Sequence, residues 1–456
     1  MGYNFRGGNR VQTSLMPASV TDWLPVRHLA WFVIEAVEVM DLSPFYAKYR
    51  TNGQGSAAWH PKMMVALLLY AYCHGERSSR KIEKLCEESV PYRVITGNEK
   101  PDHCSISRFR RDNATAMKNL FIEILRLCAE AGLIQIGKVN LDGTKMKANA
   151  SLAANRTEKS LGEEIDRMLS EAESKDTEED AAFGKEQRGD ELPEELRTSK
   201  DRLTRLLEAK ERLERERQEA EAAQREKLEN REQKEQETGQ KTRGKEPKSV
   251  EAVRAEQEER KANVTAPETR ILKTRSGYVQ GFNAQAVGTD DQIIVAADVS
   301  NQENDQGQYH PMMTQAQENA TEVLEEEAKI DLGRADAGYC NETDLKKECN
   351  HEILMATKKD WKRRKELREE PPPRGRIPGS LSATERMERK LRTKRGSKEY
   401  KMRSQTIEPI FGQIKSGRGI DSFYGRELVS AKGEWNLICG THNLLKLFRR
   451  TPSERN

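Results

Sequence analysis

Apolar positions recur at helical spacing through the first third of the chain. Between Trp23 and Asp41 they fall at Leu29, Phe32, Val33, Ile34, Val37 and Met40, which predicts a helix. Leu42-Ser43-Pro44 supplies a stop and a restart. The run HPKMMVALLLYAYCHG (60–75) predicts a buried helix with Pro61 in its first turn and Gly75 after its end. Ser78 can cap the next helix, over 79–88, although Lys81 stands where a capping box has Glu or Gln. A further helical pattern runs from about Ser105 to Ala131 and ends at Gly132. Residues 20–132 therefore predict an all-α domain.

The pattern changes at 136–142 (IGKVNLD), a short β-branched run that predicts a strand ending on an acid. A charge-dense stretch follows. In it Leu196, Leu203, Leu206, Leu207, Leu213 and Ala220 lie near heptad spacing, as in a long helix or an antiparallel helical hairpin of little apolar mass. Residues 237–250 read as a linker. Strand character returns at 278–288 and 292–299 on either side of Thr289-Asp290-Asp291, a hairpin signal. A helix at 311–328, a strand at 332–337 ending on an acid, a helix at 341–349 and a strand at 351–357 complete the series. Strand, long insertion, hairpin, helix, strand, helix, strand, helix is the order of a mixed α/β sheet with helices on its faces.

Composition refines this picture. The 456 residues allow about three structural units. With 35% hydrophobic and 34% charged residues, the chain combines folded parts with a highly charged part. No apolar run approaches the ~20 residues of a membrane span. MGYNFRGGNR lacks the apolar core of a secretion signal, and its Met-Gly start lacks the hydroxyl residue expected for myristoylation, so the reading is cytoplasmic. The 7 cysteines are scattered without a CxxC pair, which suits reduced thiols rather than disulfides or zinc.

The net charge of +3 conceals two opposite parts. Residues 156–265 carry 25 basic and 32 acidic side chains, whereas 358–455 carry 26 and 12. A strongly basic C-terminal quarter suggests a polyanion partner. In the N-terminal domain, the helices at 79–88 and from 105 flank a turn containing Gly97 and Pro101, and the second carries Arg108, Arg110 and Arg111. This suits a helix-turn-helix variant on DNA and equally a small bundle with a solvated basic face.

Three acids stand at predicted element ends. Asp142 ends the first strand in LDGTKMKANAS, Asp336 ends a later one in RADAGYCNE, and Glu408 opens a helix in IEPIFGQIKSGRG with Pro409 in its first turn. Three hard oxygen donors without His or Cys suit Mg²⁺ or Mn²⁺. Two such ions could activate a water or 3′-hydroxyl and stabilise the leaving oxygen of a phosphodiester. Glu408 and Lys415, seven apart, share a helix face, where Lys415 could hold a DNA phosphate. Tyr400 and Arg403, three apart, share a face if that segment is helical.

At these residues the sequence resembles the DDE transposases of bacterial insertion sequences, in the branch with an Asp-Gly-Thr-Lys first motif. HLAWFVIEAVE, HPKMMVALLLYAYCHGERSSRKIE and PDHCSISRFRR resemble that family's first domain, LDGTKMKANAS its first acidic motif and ADAGYCNE its second. Tyr400, Arg403, Glu408 and Lys415 resemble its Tyr-Arg-Glu-Lys third motif. Four residues separate Arg403 from Glu408 where the family signature has three; the six between Glu408 and Lys415 match.

The resemblance implies an RNase H-like α/β catalytic core, with an all-α N-terminal domain and a helical or coiled-coil insertion. The implied division is a tail (1–20), a helical DNA-binding domain (21–133), a catalytic domain (134–155 and 266–450), the charged insertion (156–265) and a tail (451–456). Asp142, Asp336 and Glu408 are then the catalytic and metal-binding acids for two Mg²⁺ or Mn²⁺ ions. Lys145, Tyr400, Arg403, Lys415, Arg108, Arg110 and Arg111 are the DNA-binding residues. The implied partners are double-stranded DNA at element ends and target, with a homodimer in the synaptic complex and a location at the bacterial nucleoid.

Other candidates are set aside. Asp298 also ends a strand-like run, but Gly338-Tyr339 follow Asp336 in the family pattern. Asp305 and His310 read as ordinary polar loop residues, His442 as a packed or capping residue of an amphipathic helix. Trp361, among basic residues, could stack on a base or be structural. Two rival readings remain at this stage: an inactive transposase-derived DNA-binding protein, and a coiled-coil assembly protein whose function lies in the insertion.

Overall fold

The computed structural model describes residues 19–49, 57–183, 194–241, 246–274, 277–357 and 373–450. The N-terminal part is helical: α1 (Leu29–Val39), α2 (Ser43–Tyr46), α3 (Pro61–Cys73), α4 (Ser79–Glu88), α5 (Val90–Ile95), α6 (His103–Asp112) and α7 (Ala116–Glu130). Pro61 opens α3 and Gly75, with φ 74°, closes it. The Glu76 N–H then returns to the Ala71 carbonyl at 2.9 Å. Ser78 caps α4 by accepting from the Lys81 N–H.

The single helix expected from 105 to 131 is two helices. Asn113 turns its side-chain amide back onto the Phe109 carbonyl (2.8 Å), a local bond that competes with helix propagation. The short α5 also lies between α4 and α6, where the sequence suggested only a turn.

A six-stranded sheet follows. Its strands are β1 (Lys138–Lys147), β4 (Arg270–Thr274), β5 (Gly277–Thr289), β6 (Ile294–Ser300), β7 (Leu332–Ala335) and β8 (Glu352–Met355); β2 (Asn155–Thr157) and β3 (Lys261–Asn263) form a separate pair. β5 lies antiparallel to β1 on one side and to β4 and then β6 on the other. β7 and β8 continue beyond β1 as parallel strands. The expected hairpin at 278–299 is present, with Gln292 at φ 65° in its turn; β4 is an additional strand.

Helices α11 (Tyr309–Leu324) and α12 (Glu342–Lys346) connect the later strands. After β8 come α13 (Ala383–Leu391), α14 (Lys394–Lys401), α15 (Arg403–Gly412) with a π-helical turn at Gln413–Gly417, and α16 (Leu428–Arg450). α16 lies on β6, where Asn443 accepts from the Ile294 N–H (2.9 Å) and donates to its carbonyl (2.7 Å). It also packs on α3, α7 and β5. A Cβ on Gly433 would stand 2.4 Å from the Ala114 carbonyl oxygen, so only glycine permits that crossing. One hydrophobic core therefore runs from α1 to the far strands. The expected boundary at 133 marks a change of structure type, not a gap between cores.

The insertion holds α8 (Glu158–Phe183), α9 (Glu194–Thr238) and α10 (Val250–Glu258). Leu161 and Ile165 of α8 pack on Leu206, Ala209 and Leu213 of α9, a small core separate from the main one. Leu207 is exposed, whereas Leu203 packs at the edge of this core. Among the described residues no helix is long and apolar enough to cross a membrane.

Candidate active site

Asp142 and Asp336 are brought together by strand register. Asn140 of β1 stands opposite Arg334 of β7 in parallel pairing, and each acid lies two residues further on. Their separation of 194 positions is therefore the register offset itself, which sets the two acids side by side on adjacent strands. Asp336 follows the last residue of β7, as expected. Asp142 does not end its strand: β1 runs on to Lys147, with Asp142 opposite Ala286 and Gly143 opposite Gln285. Gly143 forms no turn. A Cβ there would lie 2.6 Å from Gln285 Nε2 and 2.8 Å from Asp305 Oδ1, so glycine admits side chains from the neighbouring segments.

Backbone donors orient both acids. The Gly143 N–H donates to Asp142 Oδ1 at 2.9 Å, and the Gly338 N–H to Asp336 Oδ1 at 2.7 Å. Burial pushes the Asp142 carboxyl up to about 7; the negative charges of Asp336 and Asp305 add to this, while Arg403 and the Gly143 N–H oppose it.

Asp305 is a residue that sequence reasoning set aside and the structure brings to the site. Asn283 Nδ2 (2.7 Å) and Gln285 Nε2 (3.0 Å), both on β5, donate to its Oδ1, and Lys145 Nζ lies 3.6 Å away. A Cβ on Gly338 would be 2.8 Å from Asp305 Oδ2 and 2.9 Å from Asp336 Oδ1, so the two carboxylates flank that backbone. Fully buried Tyr339 donates its hydroxyl to Gln285, and burial with the surrounding acids holds that phenol far above its ordinary range. The alternation of Asn283 and Gln285 on one strand was the available signal: polar side chains in an apolar run.

Arg403 joins the third acid to the first. Its Nη2 lies 2.8 Å from Asp142 Oδ2 and its Nη1 3.2 Å from Glu408 Oε1. Glu408 does not open its helix; it is the sixth residue of α15, and Pro409 sits inside. Proline lacks the N–H that would reach back four residues to the Gln405 carbonyl. Gln292 replaces it, donating to that carbonyl at 3.1 Å from the β5–β6 turn. α15 therefore continues through proline and carries Glu408 beside the sheet.

The other expected residues separate into groups. Lys415 lies in the π-helical turn, so the helix between it and Glu408 is not regular and the shared α-helical face is not kept. Its Nζ donates to the Lys145 carbonyl at 2.7 Å, and burial lowers its pKa. Lys145 Nζ donates to the Glu303 carbonyl at 3.2 Å. Tyr400 is in α14 and Arg403 in α15, with the break at Met402, so the two do not share one helix; Tyr400 packs against the core. Arg108 and Arg111 are exposed on α6, but Arg110 turns inward, donating to Tyr72 Oη (3.1 Å) and the Arg77 carbonyl (2.7 Å).

Of the residues set aside, Asp298 pairs with Lys432 at 2.9 Å. His310, in the first turn of α11, meets the Asp344 carbonyl through Nε2 at 2.9 Å. His442 is buried against the Gln292 carbonyl (3.0 Å), and burial lowers its pKa to about 3, which fits the packing role expected of it. Trp361 lies outside the described residues.

The arrangement is a partly buried acidic cluster at the end of a mixed sheet, with one arginine inside it. Among the described residues no three His, Cys, Asp or Glu side chains stand close enough together to hold a metal ion as placed. A family model described as a transposase domain (DUF772) matches residues 18–112. A second, described as a transposase DDE domain, matches residues 310–448 and so includes Asp336 and Glu408 but not Asp142. No curated protein and no solved structure matches the chain.

Proposed function

We propose that this chain, a DDE transposase of an insertion element and hence a metal-dependent DNA-cleaving and strand-transfer enzyme, works through Asp142, Asp336 and Glu408. The register of β1 against β7 carries this reading, because it sets two acids 194 residues apart side by side on neighbouring strands. Glu408 is tied to Asp142 through Arg403. Sheet order supports an RNase H-like core: an antiparallel set β6-β5-β1 continued by parallel β7 and β8.

The donor set suits Mg²⁺ or Mn²⁺, since every candidate ligand is a hard carboxylate oxygen. The cluster also holds more acids than cations: Arg403 and Lys145 face Asp142, Asp336, Asp305 and Glu408. Asp142, Asp336 and Asp305 share a poorly solvated space, and their mutual repulsion helps to push Asp142 up to about 7. Cations in that space would favour the ionised form of Asp142. Two bound ions would supply Lewis acidity and an activated water or 3′-hydroxyl for phosphodiester hydrolysis and transesterification. The chain's own contribution is to hold the acids: the Gly143 and Gly338 N–H groups fix one oxygen of Asp142 and one of Asp336.

Around the acids, Lys145, Tyr400, Arg403 and Lys415 are the residues proposed to meet the DNA backbone, with exposed Arg108 and Arg111 of α6 holding the element end further out. Pairing of two ends calls for two copies of the chain. The test is direct. Asp142→Ala, Asp336→Ala and Glu408→Ala are each expected to abolish cleavage of a paired-end substrate while end binding in a mobility-shift assay stays largely intact. Cleavage surviving any one of the three changes overturns the assignment.

A further inference from the structure

The one buried cation of the acidic cluster has an arrangement that the proposed function does not require. Arg403 is 8% exposed, and its two terminal nitrogens reach different acids on different elements, Asp142 at 2.8 Å and Glu408 at 3.2 Å. A planar guanidinium is the side chain suited to such a fork. Its Nε finds no hydrogen-bond partner, so the two acids are what hold the group.

The oxygens involved matter. Asp142 Oδ1 accepts from the Gly143 N–H and Oδ2 from Arg403, so the guanidinium holds one of its two oxygens. Glu408 has a side chain 54% exposed, and Arg403 draws one of its oxygens inward. A divalent ion shared by these carboxylates must sit against the guanidinium that bridges them, beside a like charge.

From this we infer that Arg403 is an internal counter-ion: it holds Asp142 and Glu408 in the metal-free protein and gives them up only when a DNA phosphate offers the guanidinium another partner. The inference rests on the proposed metal-binding role of these acids. A phosphate accepts the same two-pronged contact as a carboxylate. Once the guanidinium turns to it, both acids lose their counter-charge and their oxygens become available. DNA binding and metal binding then reinforce one another, and the coupling is reciprocal. An unloaded enzyme is thereby kept from assembling its hydrolytic centre away from its substrate.

The experiment is titration of the full-length protein with Mn²⁺, read by the electron paramagnetic resonance signal of free Mn²⁺, with and without a duplex of the element end. Asp142→Asn protein with the same duplex sets the baseline for ions held by DNA alone. The wild-type protein is expected to bind Mn²⁺ about tenfold more tightly with the duplex, the scale expected for relieving one nearby like charge. Arg403→Met is expected to bind Mn²⁺ about tenfold more tightly than wild type without DNA, and the duplex should add little. Arg403→Lys, whose point charge cannot fork across two acids, should fall between them and serves if the Met variant does not fold. Equal DNA-free affinity in wild type and both variants, with binding lost in Asp142→Asn, overturns the counter-ion role and leaves the metal site standing. Unchanged Mn²⁺ binding in both Asp142→Asn and Asp336→Asn overturns the metal site, and the counter-ion role with it.

Discussion

Replacing Asp142 by asparagine should make the protein more stable and inactive, and the gain should depend on pH. The side chain is almost enclosed, and burial, with Asp336 and Asp305 nearby, raises its carboxyl from 3.8 to about 7. An acid whose pKa rises on folding holds its proton more tightly in the folded state. Stability therefore falls as pH climbs from about 3.8 to about 7, and the loss is complete above that window. At about 1.36 kcal/mol per pH unit, the interval sets an upper bound of ~4 kcal/mol. The side chain keeps 16% exposure, and water reaching it screens the charge, so ~2 kcal/mol is the working figure. Asparagine keeps the shape and the acceptor for the Gly143 N–H without the charge. Chemical denaturation without divalent ions at pH 4 and pH 8 measures the difference. Variant and wild type should be nearly equal at pH 4, and the variant ahead by ~2 kcal/mol at pH 8. A stability difference that is the same at both pH values would refute the burial argument.

Three further expectations follow from contacts around the site. Arg334 is fully buried on β7, bonded to Asp290 at 2.7 Å and Glu399 at 2.6 Å, so Arg334→Met should cost about 1–3 kcal/mol in chemical denaturation, leaving Glu399 to Lys138 and Asp290 to Asn140 and solvent. Gln292→Ala should cost about 0.5–1.5 kcal/mol by removing the side-chain donor to the Gln405 carbonyl. The cost should shrink in a Pro409→Ala background, where the helix supplies its own N–H; a double-mutant cycle with no coupling would contradict this. Gly433→Val should lower the thermal midpoint markedly, since a Cβ meets the Ala114 backbone at 2.4 Å, and an unchanged midpoint would show that α16 can slide on α7.

Much of this site could be read from the sequence because it lies on regular elements. Asp142 ends a β-branched run and Asp336 a short strand-like one whose order already implied one sheet, and the family motif selected them from 75 acidic residues. What escaped depends on contacts distant in sequence. Asp305 lies in a loop without periodicity, and only the packing of β5 against β1 shows that Asn283 and Gln285 hold it at the site. Pro409 read as a helix start because proline removes a local hydrogen bond; Gln292, more than a hundred residues away, supplies the donor. The break after Asp112 depends on a side chain bonding its own preceding turn, which periodicity does not register. Arg110 and Arg111 look alike in sequence, yet Tyr72 and the Arg77 carbonyl claim one of them while the other stays exposed.

The insertion departs from the sheet and rejoins it through β2 and β3, three residues each, paired from Asn155↔Asn263 to Thr157↔Lys261. Its two crossing points therefore stand side by side, closed by their own hydrogen bonds. Whatever is strung beyond them is, topologically, the tip of a hairpin. Changing its length alters loop-closure entropy only slowly, by about 0.6 kcal/mol per doubling. The β1–β7 register, which aligns the two aspartates, need not shift when the arm grows, shrinks or is exchanged. The protein thus separates what can be altered from what must stay fixed: novelty can accumulate beyond β2 and β3, while the β1–β7 frame keeps its alignment.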